Sequence, residues 1–106
     1  TRKVPATGEY VKYGAFHTGE VAYAYGNLKF LNNRPFVQAD YDLENTMSTY
    51  WANFAATGNP NSAGLPEWPG YNKNTSVIML LGNTIPAQKL PTKNALDFLY
   101  GEMKAK

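Results

Sequence analysis

The chain has 106 residues, no cysteine, a formal net charge of +2 and 43% hydrophobic residues, a length that suits one small domain. Without cysteine there is no disulfide framework, no thiolate zinc site and no thiol nucleophile, and a single histidine excludes a multi-histidine metal centre within the chain. Low charge and plentiful aromatics (8 Tyr, 5 Phe, 2 Trp) argue against a disordered chain.

Val, Ile, Leu and Phe make up about a fifth of the residues, a thin supply for a core. The longest aliphatic run, Val77–Leu81, falls far short of the roughly 20 residues a membrane span needs. Positive charges scatter from Arg2 to Lys106 and form no basic stripe, so a nucleic-acid partner is not expected. The first residue is Thr1 and no charged-then-apolar leader follows it; the expectation is a chain processed or cut from something longer.

In chain order, residues 1–13 are polar and carry Pro5 and Gly8, which reads as a loop. The short apolar stretch Val21–Tyr25 reads as a helix capped by Thr18, or as a strand. Asn32–Pro35 is a loop. Over Asp40–Thr57, the residues Leu43, Met47, Tyr50, Trp51 and Phe54 form one stripe of a 3.6-residue period, which predicts a helix. Asp40 is expected to cap its start, Asp42 and Glu44 to sit in its first turn, Gly58 to supply a left-handed exit and Pro60 to prevent resumption.

Asn59–Tyr71 is dense in Pro, Gly and Asn and is expected to be irregular. Val77–Leu81 has strand composition and is apolar on both faces, the pattern of a strand covered on both sides in a larger sheet. Ile85–Leu90 is a candidate partner, confined by Pro86 to an edge or an end. A second amphipathic helix is predicted over 93–104 from Ala95, Leu96, Leu99, Tyr100 and Met103. The fold class is therefore α/β, loop-rich, with an incomplete sheet.

His17 is the one side chain suited by its ordinary pKa to general-base work near neutral pH. It follows Gly14-Ala15-Phe16 in a loop, where catalytic groups often sit. The bland alternative is a surface histidine without a role. A serine nucleophile needs small flanking residues on a strained turn, as in Gly-x-Ser-x-Gly. Ser62 comes closest, with Gly64 two residues after it but Pro60 two before; Ser48 lies mid-helix and Ser76 precedes the strand, so a Ser-His-acid set is incomplete within the chain. Glu20 is expected to serve local structure rather than to orient the imidazole. Trp51 and Phe54 lie on the helix stripe and are expected to pack in the core, rather than to join Trp68 and Tyr71 in a sugar-stacking platform. Asn74-Thr75-Ser76 matches a glycosylation pattern that arises about once by chance at this composition, and it decides nothing.

Gly14-Ala15-Phe16-His17-Thr18-Gly19-Glu20-Val21-Ala22-Tyr23 resembles the catalytic-histidine segment of type-B carboxylesterases, the cholinesterase-like branch of the α/β-hydrolases. The resemblance continues through Met47-x-x-Tyr50-Trp51-Ala52-Asn53-Phe54-Ala55-x-Thr57-Gly58-Asn59-Pro60-Asn61 and resumes at Leu65-Pro66-x-Trp68-Pro69-x-Tyr71. Three ordered blocks form a far more specific signal than one histidine, and their closest flavour is the bacterial para-nitrobenzyl type of esterase.

The resemblance implies that the 106 residues are a single segment, the C-terminal part of an α/β-hydrolase domain. It implies that His17 is the triad histidine, with Glu20 matching a family glutamate outside the triad. The nucleophile, the oxyanion hole and the triad acid would lie upstream. No cofactor and no metal are expected. The implied partners are a small carboxylic ester and the N-terminal remainder of the same enzyme. The fragment alone is expected to be inactive and to self-associate through its exposed sheet edge and helix face, and family habit points to export from a bacterium. Two alternatives stay open beside the esterase: a catalytically dead cholinesterase-like binding protein, and a small carbohydrate-binding module built on the aromatics.

Overall fold

A computed structural model describes residues 12–32 and 34–105; most of the loop expected over residues 1–13 lies outside them. The elements are α1 (Val21–Ala24), a 3-10 turn (Leu28–Phe30), α2 (Gln38–Thr57), β1 (Val77–Met79), β2 (Ala87–Lys89) and α3 (Lys93–Lys104). Both predicted long helices are present; the strand expected over 77–81 forms only over Val77–Met79, its partner only over Ala87–Lys89, and the stretch 21–25 is helix over Val21–Ala24 rather than strand.

The long helix starts earlier than Asp40. Val37, in extended conformation, is its N-cap, and Asp40 occupies the third helical position. From there the Asp40 carboxylate accepts the Val37 N–H at 2.8 Å. A cap at Asp40 is thereby corrected: the acid serves the same helix end by reaching back to it. Asp42 and Glu44 consequently fall in the second turn. Glu44 Oε1 accepts the Leu28 N–H at 2.8 Å and ties down the 3-10 turn.

Asp40 is buried, and the Tyr23 hydroxyl donates to its Oδ1 at 2.9 Å. This bond joins α1 to the start of α2 at the centre of the core, where Tyr23, Leu28, Leu43 and Met47 cluster. Phe36 and Tyr41 close one side, with Phe36 meeting the edges of both Tyr23 and Tyr41 at centroid distances of 6.3 and 6.4 Å. Leu81 and Ile85 of the hairpin loop pack on the same cluster.

The far end of α2 departs from expectation. Trp51 and Phe54 remain 42% and 61% exposed, although they continue the stripe of Leu43, Met47 and Tyr50. The buried core cluster takes Leu43 and Met47 from α2 and nothing beyond them, so the end of the helix runs on past it. At its C-terminus Gly58 has φ 76° and its N–H bonds to the Phe54 carbonyl at 2.8 Å. A side chain there would meet open space, leaving only the cost of a left-handed L-residue. Gly58→Ala is expected to lower stability by about 1 kcal/mol, read from thermal melts; an unchanged melting temperature would count against this account of the exit.

β1 and β2 pair antiparallel, with Ile78 opposite Gln88. Pro86, which has no N–H to give, stands just before β2 and offers its carbonyl to Leu80 N–H at 3.0 Å. The apolar run is less protected than its composition suggests. Only Met79 is buried, and Leu80 is 45% exposed, because among the described residues the sheet has just these two strands. α3 repeats the pattern: its bounds match the prediction, yet none of its residues is buried.

Candidate active site

His17 sits at the apex of a tight turn. Gly19 N–H donates to the Phe16 carbonyl at 3.1 Å, which makes His17 and Thr18 the two central residues. Thr18 carries φ 67°, a conformation that turns of this kind normally assign to Gly or Asn. Thr18 is therefore committed to the turn and does not cap α1. That position belongs to Glu20, whose carbonyl accepts the Ala24 N–H at 3.0 Å and whose side chain makes no capping bond.

The His17 side chain is exposed and lines a cleft of about 390 Å³. Glu20 shares that cleft, α2 contributes Met47 and Trp51, and the hairpin contributes Met79, Leu80 and Leu81. The imidazole thus faces a mostly apolar wall, suited to an uncharged substrate or to packing by further protein. Among the described residues no side chain hydrogen-bonds the imidazole, Glu20 included. None of Ser48, Ser62 and Ser76 lines the cleft. Ser48 donates to the Asn45 carbonyl, Ser62 accepts from Asn53, and the buried Ser76 donates to the Lys73 carbonyl. The structure brings no nucleophile of this chain to His17.

A second and larger hollow, about 580 Å³, lies along the exposed end of α2 between Trp51, Phe54, Trp68 and Tyr71. This corrects the assignment of Trp51 and Phe54 to the core. Its floor is well built. Trp68 meets the edge of Tyr50 at 5.1 Å and tilts on Trp51 at 6.1 Å. Asn61 clamps the Trp68 backbone by accepting its N–H at 2.6 Å and donating to its carbonyl at 2.9 Å. Trp51 lines both hollows.

Sequence reasoning missed Gly19, Met47 and Met79 as parts of the site. A Cβ at Gly19 would stand 3.0 Å from the Phe16 carbonyl, so the glycine two residues after His17 was a usable signal. Met47 and Met79 carry no such mark, because they become lining only when α2 and the hairpin meet. Among the described residues, no three His, Asp, Glu or Cys side chains converge as a metal site, and no helix is long and apolar enough to cross a membrane.

The fold is that of a segment of an α/β-hydrolase, as in solved esterases. The solved structures agree: the chain is similar to a thermophilic PNB esterase, with a TM-score of 0.76 and 26% identity over 91% of this chain and 20% of that one. A carboxylesterase of Geobacillus stearothermophilus, EST55, superposes with a TM-score of 0.63 at 27% identity, covering 79% of this chain and 18% of that one.

The model of the carboxylesterase family matches residues 2–99, and the chain belongs to that family. Among its relatives, pyrethroid hydrolase Ces2a of Mus musculus is 35% identical over 81 residues, 72% of this chain. Carboxylesterase 1D of Rattus norvegicus is 36% identical over 69 residues, 65% of this chain. The chain spans 14% and 12% of the lengths of those two proteins.

Proposed function

We propose that these residues supply the general base and acid of a serine carboxylesterase, and that His17 is that group. The observation carrying this reading is the placement of His17, the only histidine of the chain, at the apex of a tight turn on the wall of an apolar cleft. Membership of the carboxylesterase family supports it.

In the proposed reaction, the imidazole takes the proton of a serine hydroxyl as its oxygen attacks the ester carbonyl. The same proton then passes to the departing alcohol, leaving an acyl-enzyme. Water releases the acid by the same proton route, and His17 ends the cycle as it began. The serine, its oxyanion donors and the acid that orients the imidazole belong to the remainder of the enzyme, consistent with the small share of its relatives' length that this chain spans. The substrate class is a small, uncharged carboxylic ester.

Two measurements test this reading. In the whole esterase, His17→Ala should abolish turnover of a chromogenic short-chain ester, and retained turnover would refute it. The purified 106-residue chain should hydrolyse the same ester no faster than buffer, because the nucleophile and the oxyanion hole contribute most of the acceleration. Serine-dependent turnover by the purified chain would show that a nucleophile lies within it. An upstream elbow without serine would instead favour a cholinesterase-like binding protein. The exposed Leu96, Phe98, Leu99 and Met103 of α3 support the further proposal that the isolated chain self-associates.

A further inference from the structure

The residue before His17 is held by a contact from a distant loop. Phe16 and Arg34 are both half-buried, and the guanidinium carbon of Arg34 stands 5.0 Å from the centre of the Phe16 ring. The other cation–ring contacts among the described residues, Lys12 on Tyr13, Lys29 on Phe30 and Lys104 on Tyr100, join near neighbours in sequence. Arg34 on Phe16 alone connects two separate segments. A planar guanidinium over a ring, partly withdrawn from water, is the stronger form of this interaction.

Each partner is anchored on its own side. The Phe16 carbonyl closes the His17 turn, and Gly19 packs so near that a Cβ there would lie 3.5 Å from the Phe16 ring. Arg34 N–H donates to the Leu31 carbonyl at 3.2 Å, and its own carbonyl accepts the Phe36 N–H at 2.9 Å. The next residues, Val37 and Asp40, form the start of α2, which is bonded to the core through Tyr23. Among the described residues no carboxylate pairs with Arg34; the ion pair found among them, Lys93 with Asp97, lies within α3.

We propose that Arg34 is a positioning residue for His17: by pinning the Phe16 ring, it couples the exposed turn to the fixed start of α2. The inference rests on the reading of His17 as general base. Its effect belongs on kcat, because a displaced imidazole spoils proton transfer without altering how the ester is bound.

The experiment uses the whole esterase with Arg34→Gln, Arg34→Lys, Phe16→Leu and the Arg34→Gln/Phe16→Leu double variant, alongside His17→Ala. Kinetics on a chromogenic short-chain ester and thermal melts are measured for each. Arg34→Gln and Phe16→Leu should each lower kcat on the order of tenfold, with KM within about twofold for Arg34→Gln, since Arg34 does not line the cleft whereas Phe16 does. Arg34→Lys should recover part of the loss, and the double variant should be no worse than the poorer single one. Phe16→Leu removes the contact from the other side, so the result stands even where one Arg34 variant folds poorly. Wild-type kcat in Arg34→Gln, or multiplying losses in the double variant, with His17→Ala inactive, would overturn the positioning role alone. An active His17→Ala would overturn the site itself, and the positioning role with it.

Discussion

His17→Ala in the whole esterase is expected to lower kcat by about 10⁴- to 10⁶-fold while changing KM little. The size follows from the step lost. A serine hydroxyl is a poor nucleophile until a base removes its proton, and the leaving alcohol departs slowly until an acid supplies one. Neither event contributes much to ground-state binding, so the loss falls on turnover. His17→Gln should be nearly as damaging, because an amide preserves polarity but neither takes up nor gives up a proton at neutral pH. Single-turnover measurement of acyl-enzyme formation checks this directly. A loss below about tenfold would leave His17 as an exposed histidine on a turn, the bland reading of its residue type.

Tyr50→Ala has the largest expected effect on stability, a loss of about 3–5 kcal/mol, against a total of roughly 5–15 for a domain. Tyr50 is fully buried, its ring carries the edge contact with Trp68, and its hydroxyl donates to the Pro66 carbonyl. Truncation leaves a cavity where α2 and the irregular loop meet, and it frees the aromatic floor built on Trp68. Loss of soluble, cooperatively melting protein is the readout, and a melting temperature within a few degrees of wild type would count against it. Tyr50→Phe keeps the ring and gives up one hydrogen bond, about 1 kcal/mol.

The same phenol predicts an alkaline limb. Burial raises the pKa of Tyr50 above its ordinary value near 10. The folded state therefore holds its proton more tightly than the unfolded chain does. The stability tied to it is intact below about pH 10 and is lost as pH climbs through the folded value. Melts across that range should show this loss in wild type and less of it in Tyr50→Phe.

The stripe from Leu43 to Phe54 announced α2, because helical periodicity is a property of the chain itself. Its start was misplaced because Val37 is an unremarkable cap by residue type, whereas Asp40 looks like one. Only the fold shows the acid working from the third position. Thr18 misled for a related reason: a good capping residue was committed to the left-handed conformation that turns the chain at His17.

Trp51 and Phe54 mark the limit most clearly. Periodicity assigns them to the same face as Met47, but burial depends on what packs across from that face, and the buried core cluster includes no residue of α2 beyond Met47. Local chemistry along the chain sufficed for the two long helices, the Gly58 exit and the hairpin with its proline at the end, and His17 with the three ordered blocks sufficed for the family. Tertiary structure alone decided which apolar residues form the core, that Asp40 is tied to Tyr23, that Arg34 reaches Phe16 and that Met47 and Met79 line the cleft with His17. Backbone propensity and capping act over a few neighbouring residues, whereas cores, clefts and cation–ring contacts exist only once distant segments meet.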